Sequence, residues 1–269
     1  MTTSVISTAP VGELAAAVRG DLILPADPAY DQARAVYNAM IDKHPAAIVR
    51  CRDAADVVAC VRFCRAHDIE IAVRGGGHNA AGLGVADDAL VIDLSLLRST
   101  TVSPGDRTVR ADAGCTWGDV DHATAAFGMA TPSGIVASTG VAGLTLGGGI
   151  GCLSRRFGLT VDNLLAADVV LADGTFVTAS ADCHGDLFWA LRGGGGNFGI
   201  VPSFTFACHD IGEHGTNIGG PVFYDFADTA QVMAWYRELL PALPEELSGW
   251  FGLQQIPPPR PSPRGCGAA

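Results

Sequence analysis

The segment Arg74-Gly75-Gly76-Gly77-His78-Asn79 has three consecutive glycines and directly follows a short apolar strand, Ile71–Val73. Because glycine has no Cβ, the backbone N–H groups of such a turn can face an anion, and Arg74 adds a positive charge beside them. The pattern fits a pyrophosphate-binding turn and also fits a surface turn between strands. His78 is either a hydrogen-bonded loop histidine or, as a neutral imidazole, a nucleophile.

Two further glycine-rich stretches follow, Gly140–Gly151 and Gly193–Gly199. Gly140–Gly151, the second stretch of the chain, has six glycines among apolar residues, which permits close passage against a flat ligand or another backbone segment. Gly193–Gly199, the third stretch, contains Gly194-x-Gly196-x-x-Gly199, a formal match to the dinucleotide fingerprint. A predicted helix precedes it and a predicted strand follows it, which reverses the order that an NAD site requires. We therefore predict no NAD site there.

Composition excludes several classes of protein. The chain has 269 residues, 48% of them hydrophobic and 17% charged, so it is not a disordered tail. Its formal net charge of −11 argues against nucleic acid as a partner. The first 20 residues do not read as a signal peptide, and no apolar run is long enough to span a membrane. We expect a cytoplasmic protein with no membrane partner.

The eight cysteines do not form a recognisable metal or disulfide framework. No pair has Cys-x-x-Cys spacing, and no Cys/His set has zinc-finger spacing. Cys60 and Cys64 lie in a predicted helix over Asp53–His67, and we expect both to be buried as small hydrophobic residues. We predict no metal site.

Periodicity and turn signals predict mixed helices and strands. Apolar runs predict strands at Ala47–Arg50, Leu90–Asp93 and Val201–Ala207, and Asp173-Gly174 predicts a β-hairpin. Helices are expected over Tyr30–Met40 and Thr116–Phe127. Because hairpins occur among the helices, the predicted class is α+β rather than a doubly wound parallel sheet.

The character of the sequence changes near residue 208. Val232, Trp235, Tyr236 and Leu239 have the spacing of one amphipathic helix. Residues 256–269 contain little except Pro, Arg, Ser, Gly, Cys and Ala, and they show no apolar periodicity. We interpret this tail as aberrant, the product of a frameshift or a premature end, with a natural Pro-rich tail as the alternative.

Taken in order, the glycine-rich segments and their neighbours resemble the PCMH-type FAD-binding domain of the vanillyl-alcohol-oxidase superfamily, in its berberine-bridge-enzyme-like branch. The resemblance extends over residues 25–255 and is carried by the following motifs: Val73–Asn79, Val91–Ser95, Gly140–Gly151, Leu153–Leu159, Asp162-Asn163, Asp186–Gly193 and Asn197–Val201.

This resemblance implies two α/β subdomains that hold FAD between them. It implies that the turn Arg74, Gly75, Gly76, Gly77, His78 and Asn79 holds the pyrophosphate, and that His78 bonds covalently to the flavin 8α-methyl group. The family's second, cysteinyl attachment point corresponds to Val136, so we expect attachment through His78 alone, with Cys152 too far along the chain.

The resemblance also assigns the remaining cofactor-binding residues. The isoalloxazine and ribityl chain are expected along Gly140–Gly151, and Ile200 on the adenine side. The predicted residues of this group are Pro132, Ser133, Gly134, Gly140, Val141, Gly143, Leu144, Gly147, Gly148, Gly149, Gly151 and Ile200. Asp93 and Asn163 are expected to be structural polar groups, or equally turn or cap residues.

By resemblance, the protein oxidises an alcohol, a sugar or a related small-molecule donor by hydride transfer to the flavin. We expect an FAD-binding domain over 1–207, the beginning of a substrate domain over 208–255, and the aberrant tail over 256–269. Tyr224 and Tyr236 are the only tyrosines after residue 208, and neither is assigned as a catalytic base. The alternatives are a non-catalytic FAD-binding module and an inactive fragment.

Overall fold

The computed structural model describes residues 11–212 and 219–254, so the tail predicted to be aberrant lies outside the described residues. The chain forms two compact units, residues 1–218 and 219–269. The helices are α1 (Val11–Ala17), α2 (Tyr30–Arg34), α3 (Ala54–His67), α4 (Trp117–Ala125), α5 (Val141–Leu146), α6 (Ser154–Phe157), α7 (Gly185–Leu191) and α8 (Thr229–Ala242). The strands are β1 (Asp21–Ile23), β2 (Ala47–Arg50), β3 (Ile71–Arg74), β4 (Leu90–Asp93), β5 (Thr100–Ser103), β6 (Thr108–Asp112), β7 (Met129–Ala130), β8 (Leu164–Val170), β9 (Phe176–Ser180), β10 (Ile200–Ala207) and β11 (His209–Asp210).

The first sheet has the order β1-β2-β4-β3. Strands β2, β4 and β3 are parallel, and β1 is antiparallel to β2. All four residues of β4 are buried, as expected for the central strand of a covered parallel sheet. The register places Arg50, Asp93 and Arg74 side by side at the carboxyl ends of the parallel strands. The predicted glycine turn therefore leaves the sheet at the edge where α/β proteins bind ligands.

The second sheet is antiparallel throughout, in the order β5-β6-β10-β8-β9. Its β8–β9 hairpin turns at Asp173-Gly174, where Gly174 has a φ of +78°, as the Asp-Gly signal predicted. Phe204 and Phe206 lie on one face of β10, and both are fully buried. One parallel-rich sheet and one antiparallel sheet confirm the predicted α+β class.

Helix α3 lies between the two sheets and contacts strands of both. Asp53 accepts a hydrogen bond from the Asp56 backbone N–H (3.0 Å) and begins the helix, and Asp68 ends it in the left-handed conformation. Cys60 and Cys64 are buried in the shared core, which confirms the prediction for both. The helix thus joins the two sheets into one hydrophobic core.

The predicted helix over Tyr30–Met40 is wrong beyond Arg34. Helix α2 ends there because Ala35 is extended (φ −64°, ψ 139°). The chain then crosses toward the glycine turn, where the Tyr37 N–H donates to the Gly77 carbonyl oxygen (3.0 Å). The Tyr37 N–H is therefore bonded to a distant segment instead of to a helical carbonyl. This bond brings Tyr37 to the glycine turn that was predicted to bind the pyrophosphate.

The second unit contains α8, which spans the predicted amphipathic helix. The Tyr236 hydroxyl donates to the Gly249 carbonyl oxygen (2.7 Å), and its ring lies 5.9 Å from that of Phe251. Tyr236 therefore packs within its own unit. None of the helices in the described part of the chain combines the length and apolarity needed to cross a membrane.

Candidate functional site

Two hydrogen bonds fix the turn after β3. Gly77 has a φ of +69°, a conformation that favours glycine, and its carbonyl accepts from Tyr37. Asn79 closes the turn, because its Oδ1 accepts the Leu83 N–H at 3.1 Å. The glycines are therefore part of a built turn with defined hydrogen bonds.

The backbone N–H groups of this turn make no hydrogen bonds with the described part of the chain. Within the described residues, the N–H groups of Gly75, Gly76, Gly77 and His78 donate no hydrogen bond. All four residues are half-buried or exposed. Successive unpartnered N–H donors form a concavity suited to an anion, so the turn fits a pyrophosphate.

The Arg74 side chain is engaged beneath the turn. Its Nη2 donates to Asp93 Oδ2 at 2.7 Å, and its Nη1 donates to the Ala35 carbonyl oxygen at 3.3 Å. The other Asp93 oxygen accepts the Ser95 N–H at 3.0 Å, and Arg50 Nε lies 3.6 Å from Oδ2. Of the two roles expected for Asp93, the structure shows the first, a structural polar group. Its carboxylate balances the charge of Arg74.

The first and second glycine-rich stretches meet directly. A Cβ added to Gly76 would lie 2.5 Å from Gly140 Cα, and one added to Gly75 would lie 3.4 Å from Ala142 Cβ. Only main chain without side chains can approach main chain so closely. The glycines of Gly140–Gly151 were expected to allow close approach either to a flat ligand or to another backbone segment. At Gly140 the neighbour is a backbone segment, the turn at Gly76.

The rest of the second stretch forms α5 and the turn after it. Gly140 precedes α5, Val141 is buried, and Gly147 ends the helix. Gly148 and Gly149 have φ values of +110° and +73°, and their carbonyls accept from the Val161 and Thr160 N–H groups at 3.0 Å. A Cβ on Gly143 or Gly148 would meet no atom within 4 Å. The space beside the main chain is therefore empty at these two positions, which together are named the open strip.

The segment Pro132-Ser133-Gly134 lies against the middle and the carboxyl end of this stretch. A Cβ on Gly134 would lie 2.5 Å from Leu144 Cδ1, and one on Gly151 would lie 2.0 Å from the Ser133 carbonyl oxygen. The structure therefore brings Ser133 and Gly134 together with the second stretch, through one contact with main chain and one with a leucine side chain.

The third stretch joins the group through a 3₁₀ turn at Gly195–Phe198, which contacts α5. Helix α7 precedes the turn and β10 follows it, which confirms the order that argued against an NAD site. Ile200 begins β10, pairs with Val170 and is buried. The first and third stretches therefore both lie against α5, which is part of the second.

Two residues that sequence reasoning missed contact the imidazole of His78. The Tyr37 ring stacks on it, with centroids 4.2 Å apart and planes inclined by 17°. The Ser138 Oγ lies 3.4 Å from Nε2. Tyr37 was hidden by the wrong helix prediction. Ser138 lies in the loop before Gly140, and no motif or spacing in the sequence indicates that it contacts His78.

A cavity of about 280 Å³ lies beside the site, between α4 and the 133–137 loop. Val136 and Cys152 both line it, although they are distant in sequence. Trp117 lines it as well; its buried Nε1 has no hydrogen-bond partner among the described residues. Desolvation raises the pKa of the Asp121 carboxyl, another lining group.

A larger depression, about 520 Å³, lies on α3 near Phe176 and includes none of the predicted site residues.

Asn163 also has a structural role. Its Nδ2 donates to the carbonyls of Phe157 and Leu159, both at 2.9 Å, and its Oδ1 lies 2.6 Å from His209 Nε2. The His209 ring stacks on Phe157 at 4.0 Å. Burial, with a further contribution from the positive charge of Arg156, lowers the pKa of His209. This cluster fixes the exit of the chain from the second sheet.

Comparison with known proteins agrees with the geometry. The family model described as an FAD binding domain matches residues 45–180, which is just over half of the chain. The FAD-linked oxidoreductase YgaK of Bacillus subtilis is 37% identical over 72% of this chain and 44% of its own length. The (R)-6-hydroxynicotine oxidase of Paenarthrobacter nicotinovorans is 37% identical over 72% of this chain and 42% of its own.

A solved structure of a berberine-bridge-like protein shares the fold of this chain. The berberine-bridge-like protein 1 of Physcomitrella patens superposes with a TM-score of 0.71 at 34% identity, covering 75% of this chain and 45% of that one. The chain thus spans somewhat less than half the length of the proteins it matches. With the family model matched over half the sequence and the fold shared, the chain belongs to the FAD-binding domain family of the PCMH-type FAD-linked oxidases.

Proposed function

We propose that the chain is the FAD-binding part of an oxidoreductase that oxidises a small-molecule alcohol, sugar or related donor with a flavin attached covalently to His78. The observation that carries the proposal is the meeting of the Gly75–Gly77 turn with Gly140 and α5. Glycines far apart in sequence have no reason to converge in this way for packing alone, since side chains would fill a core better.

The chain's own groups have distinct roles in this proposal. The unpartnered N–H groups of the Gly75–His78 turn bind the pyrophosphate, with the Arg74–Asp93 pair holding the turn from below. The strip along Gly143 and Gly148 receives the isoalloxazine and ribityl chain, and backbone groups near Ile200 receive the adenine side. When bound, FAD supplies the acceptor for hydride. Peptide dipoles close to the ring stabilise the negative charge of its reduced form.

The proposal of attachment through one residue rests on Val136, which stands where the family resemblance puts the second attachment point. His78 is half-buried beside the loop that carries Val136. Valine cannot bond to a flavin, so we propose a single attachment and placement in the berberine-bridge-like branch. We assign no catalytic base, because Tyr236 packs against Gly249 within its own unit. A cytoplasmic location stays a prediction from the sequence.

The test is retention of flavin after denaturation. The purified chain is incubated with FAD and precipitated in acid, and the absorbance spectrum of the redissolved pellet is recorded. We expect yellow colour to remain with the wild-type protein and to be lost from His78→Ala. Cys152→Ala is the matched control and should keep the colour.

Each contrary result has a separate meaning. Colour retained by His78→Ala contradicts the assignment of His78, and colour lost from Cys152→Ala contradicts single attachment. A chain that takes up no FAD at all contradicts the binding proposal. An FAD-loaded chain that releases no hydrogen peroxide with any of a panel of alcohols and sugars favours the non-catalytic FAD-binding module.

A further inference from the structure

The cavity between α4 and the 133–137 loop adjoins the predicted flavin site but has its own lining. The loop is bonded to the start of α4, because the Gly118 N–H donates to the Ala137 carbonyl oxygen at 2.8 Å. The cavity shares Ser133 and Gly134 with the predicted cofactor-binding residues. None of the residues that line it belongs to the Gly75–His78 turn or to the open strip. Its chemistry is therefore considered separately from that of the cofactor.

The interior of the cavity is mostly apolar, and it is large enough for a small organic molecule. Its volume is about 280 Å³, whereas an apolar cavity of roughly 150 Å³ can hold benzene. The large aliphatic side chains of the wall are those of Met129, Ile135, Val136, Leu153 and Ile211. The cavity therefore suits one aromatic ring with a short side chain.

One face of α4 forms a wall of this cavity. Trp117, Asp121, Thr124 and Ala125 all line it, and the spacing i, i+4, i+7, i+8 places them on the same side of the helix. The two polar groups described next, those of Trp117 and Asp121, are thus neighbours one helical turn apart.

Asp121 supplies a negative charge that the protein does not balance. Among the described residues that line the cavity, it is the one that carries a charge. Its main-chain carbonyl accepts from Thr124 Oγ1 at 3.4 Å, but its carboxylate has no hydrogen-bond or ion-pair partner in the described part of the chain. The residue is exposed on its solvent side, so it lies at the rim, and desolvation on its other side raises the pKa of the carboxyl. A cation bound at the rim would balance this charge.

Trp117 supplies a hydrogen-bond donor in the same wall. The residue is almost completely buried, and its Nε1 has no acceptor among the described residues. Because a buried N–H without an acceptor is costly, an oxygen atom on a bound molecule would be favoured beside it. An apolar interior with a few placed polar groups is the usual composition of a small-molecule site.

We propose that this cavity binds a small aromatic amine that also carries a hydroxyl group. The ring lies in the apolar interior, the ammonium group pairs with the Asp121 carboxylate at the rim, and the hydroxyl oxygen accepts from Trp117 Nε1. A neutral analogue lacks the ion pair, and an anionic analogue is repelled by Asp121. This inference does not depend on the flavin proposal, because neither Asp121 nor Trp117 is assigned to the cofactor.

The first measurement compares three probes that share a hydroxyphenyl ring. The purified full chain, without flavin, is titrated with tyramine, with its neutral analogue tyrosol and with its anionic analogue 4-hydroxyphenylacetate. Calorimetry gives the affinities, and the indole N–H signal of Trp117 in ¹H–¹⁵N NMR spectra reports on the cavity wall. We expect tyramine to shift that signal and to bind roughly tenfold more tightly than tyrosol, since a hydrogen bond to a charged group is the stronger one. The carboxylate should bind most weakly.

The second measurement repeats the titrations with variants. Asp121→Asn removes the charge and should weaken tyramine binding roughly tenfold while leaving tyrosol binding unchanged. Ala125→Leu places a larger side chain at the cavity wall and should weaken the binding of both. Asp182→Asn removes an exposed carboxyl that does not line the cavity and should match the wild type.

Several results would overturn the proposal. Tyramine that does not bind, that binds no better than tyrosol, or that binds Asp121→Asn as tightly as the wild type contradicts the role of the carboxylate. An unmoved Trp117 signal, or full affinity in Ala125→Leu, places the amine outside the cavity. Loss of tyramine binding from the FAD-loaded chain would show that the cavity is part of the cofactor site. A chain that binds tyramine but takes up no FAD contradicts only the proposed function.

Discussion

Arg74 Nη2 lies 2.7 Å from Asp93 Oδ2, and both side chains are almost completely buried. The two residues are register partners at the carboxyl ends of β3 and β4. A buried guanidinium whose charge is balanced in this way is not available to a phosphate. The pair therefore supports the glycine turn, and binding of an anion there depends on the backbone N–H groups.

Removing one member of this pair should be strongly destabilising. Asp93→Ala leaves the Arg74 charge buried without its carboxylate, and we expect the free energy of unfolding to fall by about 3–5 kcal/mol. Urea unfolding measures this directly. Asp210→Ala, which breaks the exposed pair of Asp210 with Arg107, is the control and should cost at most about 1 kcal/mol. Equal losses in the two variants would contradict a structural role for the buried pair.

The contact between the two glycine-rich stretches should not tolerate a methyl group. In Gly76→Ala the new Cβ would lie 2.5 Å from Gly140 Cα and 2.6 Å from Gly140 N, so main chain must move. We expect a loss of stability of about 1–3 kcal/mol, typical of overpacking, and weaker FAD binding. Gly105→Ala, where a Cβ would meet nothing within 4 Å, should unfold like the wild type. A fully stable Gly76→Ala that binds FAD normally would show that the close approach is not required.

Gly143 allows stability and cofactor binding to be separated. It lies in α5, and a Cβ there would meet no protein atom within 4 Å. Alanine should therefore stabilise the flavin-free chain by roughly 0.5–1 kcal/mol, because glycine is the poorer helix former. If the flavin lies along this strip, the same methyl group should weaken FAD binding roughly tenfold, or by about 1.4 kcal/mol. Thermal unfolding and FAD titration test the two effects, and unaltered affinity would place the cofactor elsewhere.

The His209 cluster predicts a dependence of stability on pH. Because the pKa of His209 is lowered in the folded chain, the unfolded chain binds its proton more readily. Stability should therefore fall as the pH decreases through the ordinary histidine pKa of about 6.5. His209→Gln should show a smaller loss of stability between pH 7.5 and pH 5.5, roughly one pH unit on either side of that value, in urea unfolding.

The exposed His122 supplies the control for that measurement. His122→Gln should keep the full pH dependence of the wild type. If His209→Gln also keeps it, another group is responsible, and the lowered pKa of His209 does not limit stability at low pH.

The glycine-rich stretches, the main strands and the hairpin could be predicted from the sequence, because each depends on local chemistry. Asp173-Gly174 specifies its own turn, and the apolar run Leu90–Asp93 suits a covered central strand. The family could be predicted from the order of its motifs. The end of α2 could not, because it depends on a hydrogen bond from Tyr37 to Gly77, a residue 40 positions further along the chain.

The sequence by itself determined the class of the fold, the FAD-binding family and the residues expected to contact the cofactor, since these follow from residue types and their order. The tertiary structure alone decided which of those residues meet: that Gly76 passes against Gly140, that Asp93 balances Arg74, and that Tyr37 and Ser138 contact His78. The physical reason is that such contacts depend on strand register and chain crossing. Spacing along one segment carries no information about the segment that packs against it.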